Sequence, residues 1–170
     1  MMKTVLLVIA CTNFRDEELF DTQKELKNAG IKTVIASSSL NKCSGVMGGS
    51  AKPEILLKDV NIANYDAIAF IGGMGAKEYI NDPTAHKLAQ TAYKDGKVVA
   101  AICIAPAILA KAGLLKNKRF TSTESEIGNI KAMDGIHYPE PVVADGKIVT
   151  GSGPAAATNF GKKITELLLI

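Results

Sequence analysis

Lys97–Gly113, KVVAAICIAPAILAKAG, reads as a buried strand that turns directly into a helix. Val98–Ile102 is an unbroken apolar run of strand length, and the helix-forming residues after Cys103 stop at Gly113. A strand feeding straight into a helix is the repeating unit of parallel sheets. Two places before and after Cys103 stand the small residues Ala101 and Ala105. Small-x-nucleophile-x-small is the spacing of a nucleophile elbow, with cysteine in place of serine. The turn excludes bulk at the flanking positions and pushes the central side chain outward. Free N–H groups of the following helix face it, so a thiol held there is expected to have a lowered pKa and to react as thiolate. A cysteine ending an apolar strand can equally be an inert core side chain. The rest of the chain has to decide.

Outward from this segment, short apolar runs alternate with helical patterns, the signature of a parallel sheet covered on both faces. Strand-like runs are expected at Thr4–Ala10, Thr33–Ala36 and Ala67–Ile71. A helix over Asp16–Ala29 would bury Leu19, Phe20, Leu26 and Ala29, with Gly30 as its stop. Asp82 as N-cap and Pro83 at the first helical position open another, with Ala85, Leu88, Ala89 and Ala92 inward and Gly96 beyond its end. The stretch 37–64, with Gly45, Gly48 and Gly49, predicts a hairpin or irregular excursion. A β-rich stretch follows Gly113, turning at Asp145–Gly146, and a last helix from about Pro154 carries Ala157, Phe160, Ile164 and Leu167.

The 170 residues make one domain, 1–170, with 47% hydrophobic and 22% charged residues. The net charge of +3 comes from scattered lysines without a basic block, which argues against a nucleic-acid surface. Three cysteines, Cys11, Cys43 and Cys103, give an odd count. That points away from a disulfide framework and toward a reducing, cytoplasmic compartment. The start, MMKTVLLVIAC, resembles a lipoprotein signal, but its apolar run is too short to span a membrane and suits a buried first strand. No other run approaches membrane-spanning length.

In open sheets of this kind, ligands bind beyond the carboxyl ends of the strands. Three features converge there: NFRDEEL after the first strand, Gly72–Gly73 after Ala67–Ile71, and Cys103. The N–H groups of Gly73 and Ile104 are candidates for an oxyanion hole, although two glycines can also be only a tight turn. Asp16, Glu17 and Glu18 complement a helix dipole. Glu18, beside Leu19, is also the carboxylate placed to turn toward Cys103, where desolvation would raise its pKa and make the two titrate as a unit. His137, in GIHYPEP, is a possible site-lining residue, and His86 reads as a surface residue. Two histidines and scattered cysteines form no zinc pattern, so no metal and no cofactor are expected.

Together, AAICIAPAILAKAGLLKNKRFT around Cys103, IGGMGA and FRDEEL resemble the ThiJ/PfpI superfamily over essentially the whole chain. GIHY, the DG turn before KIVT, and GSGPAAATNF are similar to its deglycase branch. The resemblance implies a flavodoxin-like three-layer sandwich, usually a homodimer. It also implies Cys103 as reactive cysteine, Glu18 as its partner, and Gly73 and Ile104 as backbone donors. Activities in such proteins include cofactor-independent conversion of methylglyoxal to lactate, deglycation, peptidase action and redox-regulated chaperoning. The expected substrate is a small aldehyde or glycated molecule. PfpI-type peptidases carry histidine directly after the cysteine, where this chain has Ile104. The deglycase branch often has a histidine where Thr123 stands and an arginine where Ser152 precedes Gly153. An intracellular peptidase therefore lacks its base, and Glu18 is left as the main proton-handling group. Redox sensing through oxidation of Cys103 is the alternative function.

Overall fold

The computed structural model describes residues 1–170. The chain runs β1 (Thr4–Val8), β2 (Thr12–Phe14), α1 (Asp16–Asn28), β3 (Lys32–Ser37), β4 (Cys43–Gly45), β5 (Ser50–Ala51), β6 (Ile55–Leu56) and β7 (Ala67–Phe70). It continues through α2 (Pro83–Lys94), β8 (Val98–Ile102), α3 (Pro106–Lys111), β9 (Arg119–Phe120), α4 (Glu124–Ala132), β10 (Ile136–His137), β11 (Val142–Asp145), β12 (Ile148–Gly151) and α5 (Ala157–Leu168). Seven strands form the central sheet in the order β11-β12-β8-β7-β1-β3-β6, parallel except for β11.

Alternation along β1 explains the layers. Leu6 and Val8 face a core completed by α2, α3 and α4 through Ala85, Ala89, Ile108, Leu109 and Ile130. Val5, Leu7 and Ile9 face the opposite core, closed by α1 and α5 through Leu19, Leu26, Phe160 and Ile164. Helices on both faces of a mostly parallel sheet make the expected flavodoxin-like three-layer sandwich. The lipoprotein-like start is an interior strand of this sheet, paired between β7 and β3. No helix is long and apolar enough to cross a membrane.

Four expectations are corrected. Cys11 and Cys43 form a disulfide, because β2 and β4 pair side by side and bring their Cα atoms to 4.3 Å across 32 residues. An odd cysteine count is compatible with one such bridge, so it carries no argument for a reducing compartment. Within the expected β-rich stretch lies the helix α4, docked on one side through buried Ile130 and Glu126. On α1 the buried face is Leu19, Thr22 and Leu26, while Phe20 and Ala29 are exposed. There α5 approaches closely at Gly161, where an added Cβ would sit 2.9 Å from Glu25 Cβ and 3.2 Å from Thr22 O, and the Thr22 hydroxyl donates to Ala157 O at 3.4 Å. The fourth concerns the thiol and is described with the site.

Candidate active site

The strand order reverses between β1 and β7, and the segments leaving β1, β7 and β8 meet at that crevice. Cys103 directly follows β8 in the left-handed region, with φ 67°, a conformation that costs a non-glycine residue free energy. Both of its backbone polar groups are held: its N–H donates to Gly151 O (2.9 Å), and its carbonyl accepts from Thr123 N–H (2.8 Å). The expected elbow is present, and the side chain is partly exposed.

Glu18 lies in the first turn of α1 with no solvent exposure. Its Oε1 accepts from Gly72 N–H at 2.9 Å, and its Oε2 is a buried oxygen without a hydrogen-bond partner. Gly72 separates it from the cysteine: a Cβ on Gly72 would lie 2.5 Å from Glu18 Oε1 and 2.7 Å from Cys103 Cβ. Only a residue without a side chain allows this approach. Gly73, at φ 102°, turns the chain beside Gly72, and the backbone N–H groups of Gly73 and Ile104 pull the Cys103 thiol pKa downward.

Burial pushes the Glu18 carboxyl from its ordinary value near 4.5 up to about 7, opposed by the thiol, the Gly72 N–H and Arg15. Burial, followed by the Glu18 charge, pushes the Cys103 thiol up to about 11, against the pull of the Gly73 and Ile104 donors. This corrects the expectation of a lowered thiol pKa. Desolvation and a neighbouring carboxylate outweigh the donors, and α3 is only six residues long. The pair behaves as a unit that holds one proton between about 7 and about 11. In that state the sulfur carries the proton and the carboxylate beside it is a base matched to neutral pH.

His137 packs on Phe120 with ring centroids 5.5 Å apart and lines a recess of about 520 Å³ with Thr121–Glu124 and Ser152. His86 is tied to Ile80 O at 2.7 Å. Arg15 and Thr123 went unassigned in the sequence. Arg15, held by Glu17 through contacts of 3.0 and 2.9 Å, contributes positive charge near both Cys103 and Glu18. Its signal was its place in FRDEEL, directly before the acidic turn. Thr123 acts through its backbone, which leaves no signature in residue type.

The model of the DJ-1/PfpI family matches residues 3–167. This chain belongs to the DJ-1/PfpI family. An uncharacterised protein of Methanocaldococcus jannaschii is 36% identical, covering 96% of this chain and 82% of that protein. A glutathione-independent glyoxalase of Caenorhabditis elegans is 27% identical over 98% of this chain and 89% of its own length. The deglycase PfpI of Pyrococcus furiosus is 29% identical, with 96% and 98% covered. Among solved structures, a ThiJ/PfpI domain protein of Brachyspira murdochii superposes with a TM-score of 0.96 at 28% identity, covering 99% of this chain and 97% of that one.

Proposed function

We propose that this protein is a cysteine-dependent, cofactor-independent enzyme of glyoxalase or deglycase type, acting on small α-oxoaldehydes such as methylglyoxal or on their adducts. The observation that carries this reading is the Cys103 thiol lying against a buried carboxylate that titrates near neutrality. The relatives named as a glyoxalase and a deglycase support the same class of chemistry. A homodimer belongs to the proposal through the family resemblance.

The sulfur attacks the aldehyde carbon of methylglyoxal while Glu18 takes the thiol proton and passes it to the carbonyl oxygen, which completes a hemithioacetal and leaves Glu18 as carboxylate. Glu18 then removes the proton from that carbon and returns one to the neighbouring carbon, converting hemithioacetal to thioester without an external oxidant. Water cleaves the thioester to lactate and restores the thiol. The Gly73 and Ile104 N–H groups hold the oxyanion that develops on the substrate. Cys103→Ser should abolish methylglyoxal turnover, followed as lactate formed, with the circular dichroism spectrum unchanged. Turnover within twofold of wild type would remove the nucleophile from the proposal.

A second reading rests on the unpartnered Glu18 Oε2 beside a partly exposed thiol. Two peroxide equivalents would each give one oxygen to the sulfur and leave as water, and a protonated Glu18 would donate to the sulfinate. Two added oxygens mapped to Cys103, without aldehyde turnover, would favour redox sensing. Peptidase action has less support, since neither histidine is joined to Cys103 or Glu18.

A further inference from the structure

The Cys11–Cys43 disulfide lies at the same end of the sheet as Cys103, and the proposed reaction makes no use of it. Cys11 is partly exposed at the entry to β2, whereas Cys43 is fully buried at the start of β4. Ser44 N–H donates to Cys11 O at 2.9 Å, so the bridge lies across the first rung of the β2–β4 pairing. Beyond it, β2 is pressed against the glycine loop. A Cβ on Gly73 would lie 2.5 Å from Arg15 N and 2.8 Å from Phe14 C, and it would overlap the Asn13 carbonyl. Arg15 N–H donates to Gly72 O at 2.9 Å, and Asn13 is held in the left-handed region at φ 63°. Gly72 lies against the nucleophile, since a Cβ there would be 2.7 Å from Cys103 Cβ, and the Gly73 N–H pulls the thiol pKa down. Main chain in direct contact therefore connects the disulfide to the nucleophile.

We propose that Cys11–Cys43 is a redox switch that sets the reactivity of Cys103. Closed, it clamps β2 to β4 and holds the Gly72–Gly73 loop against Cys103; opened, it lets β2 relax and loosens that loop. The inference rests on Cys103 being the working thiol of the proposed function. The reductant is a dithiol, small or protein-borne. One of its thiolates attacks the exposed Cys11 sulfur, forming a mixed disulfide and expelling Cys43 as thiolate, which takes a proton. Its second thiol attacks the mixed disulfide at the reductant's own sulfur and releases Cys11. The protein gains two electrons and two protons, and the dithiol becomes a disulfide. The β4–β5 turn survives because Asp16 separately accepts from Met47 N–H (2.8 Å) and Gly49 N–H (2.7 Å). The change is thus confined to β2 and its contacts.

Air-equilibrated full-length protein, denatured and counted for thiols, should show Cys103 as the one free cysteine. Alkylation of native Cys103 by iodoacetamide, read by peptide mass, is then timed on oxidised protein and on protein reduced with dithiothreitol and desalted. Reduction should slow it roughly fivefold to tenfold, the scale of weakening one charge-assisted hydrogen bond. The Cys11→Ser, Cys43→Ala double variant should sit at the slow rate with or without dithiothreitol. Three free thiols in the air-equilibrated protein, or oxidised and reduced rates within twofold, would overturn the switch. The wild-type comparison decides even if the double variant does not fold. Redox-insensitive alkylation with Cys103→Ser inactive would sink the switch and keep the enzyme. Redox-sensitive alkylation with Cys103→Ser active would do the reverse.

Discussion

At Cys103 the backbone is held in a conformation that its side chain disfavours, and the fixed partners Gly151 and Thr123 keep it there. Gly72 makes the neighbouring carboxylate possible. A methyl group at that position would meet Glu18 Oε1 at 2.5 Å and both Cys103 Cβ and Ile102 O at 2.7 Å, and the last of these is backbone. Gly72→Ala should therefore cost on the order of 2 kcal/mol through overpacking and lower methylglyoxal turnover with it. Denaturant unfolding checks the first expectation, and an unchanged midpoint would show that the loop yields freely. Cys103, Glu18, Gly72 and Gly73 were legible because their residue types are constrained by chemistry or space. The direction of the thiol pKa was not, because it depends on how much water reaches the sulfur and how near the carboxylate lies. Neither quantity is written in local spacing.

Among the elements, α2 shows what local sequence specifies well. Asp82 accepts from Thr84 N–H at 3.0 Å and Pro83 takes the first turn, as the sequence reading expected. Asp82→Ala should destabilise the protein by about 1 kcal/mol, measured by denaturant unfolding, without altering Cys103 alkylation. A change in alkylation would show that α2 is coupled to the site. By contrast, α4 escaped notice. Its sequence mixes Ser, Ile and Gly, and only Glu126 and Ile130 are buried, so no strong period marks it. Tertiary docking decides that helix. The same holds for α1, where Thr22 rather than Phe20 meets α5.

On the scale of the whole molecule, the site exists because a parallel sheet brings three separated chain segments to one edge. Alternating apolar runs announce such a sheet, so the three-layer architecture was readable from the sequence. The disulfide was not, since its cysteines meet only through the pairing of β2 with β4. Bringing Glu18 from α1 against Cys103 from β8 creates a proton pair that neither segment has alone. Its activity should follow the one-proton state. As pH rises through about 7, Glu18 loses its proton and becomes the base, so turnover should increase. As pH approaches about 11, the thiol loses the proton that the cycle passes on, and turnover should fall. The most direct test is the pH profile of methylglyoxal kcat/KM for wild type and Glu18→Gln. Wild type should rise with an apparent pKa near 7, and the variant should be strongly slowed and lack that limb. An identical limb in the variant, at a comparable rate, would contradict the assignment of Glu18 as the base that serves Cys103.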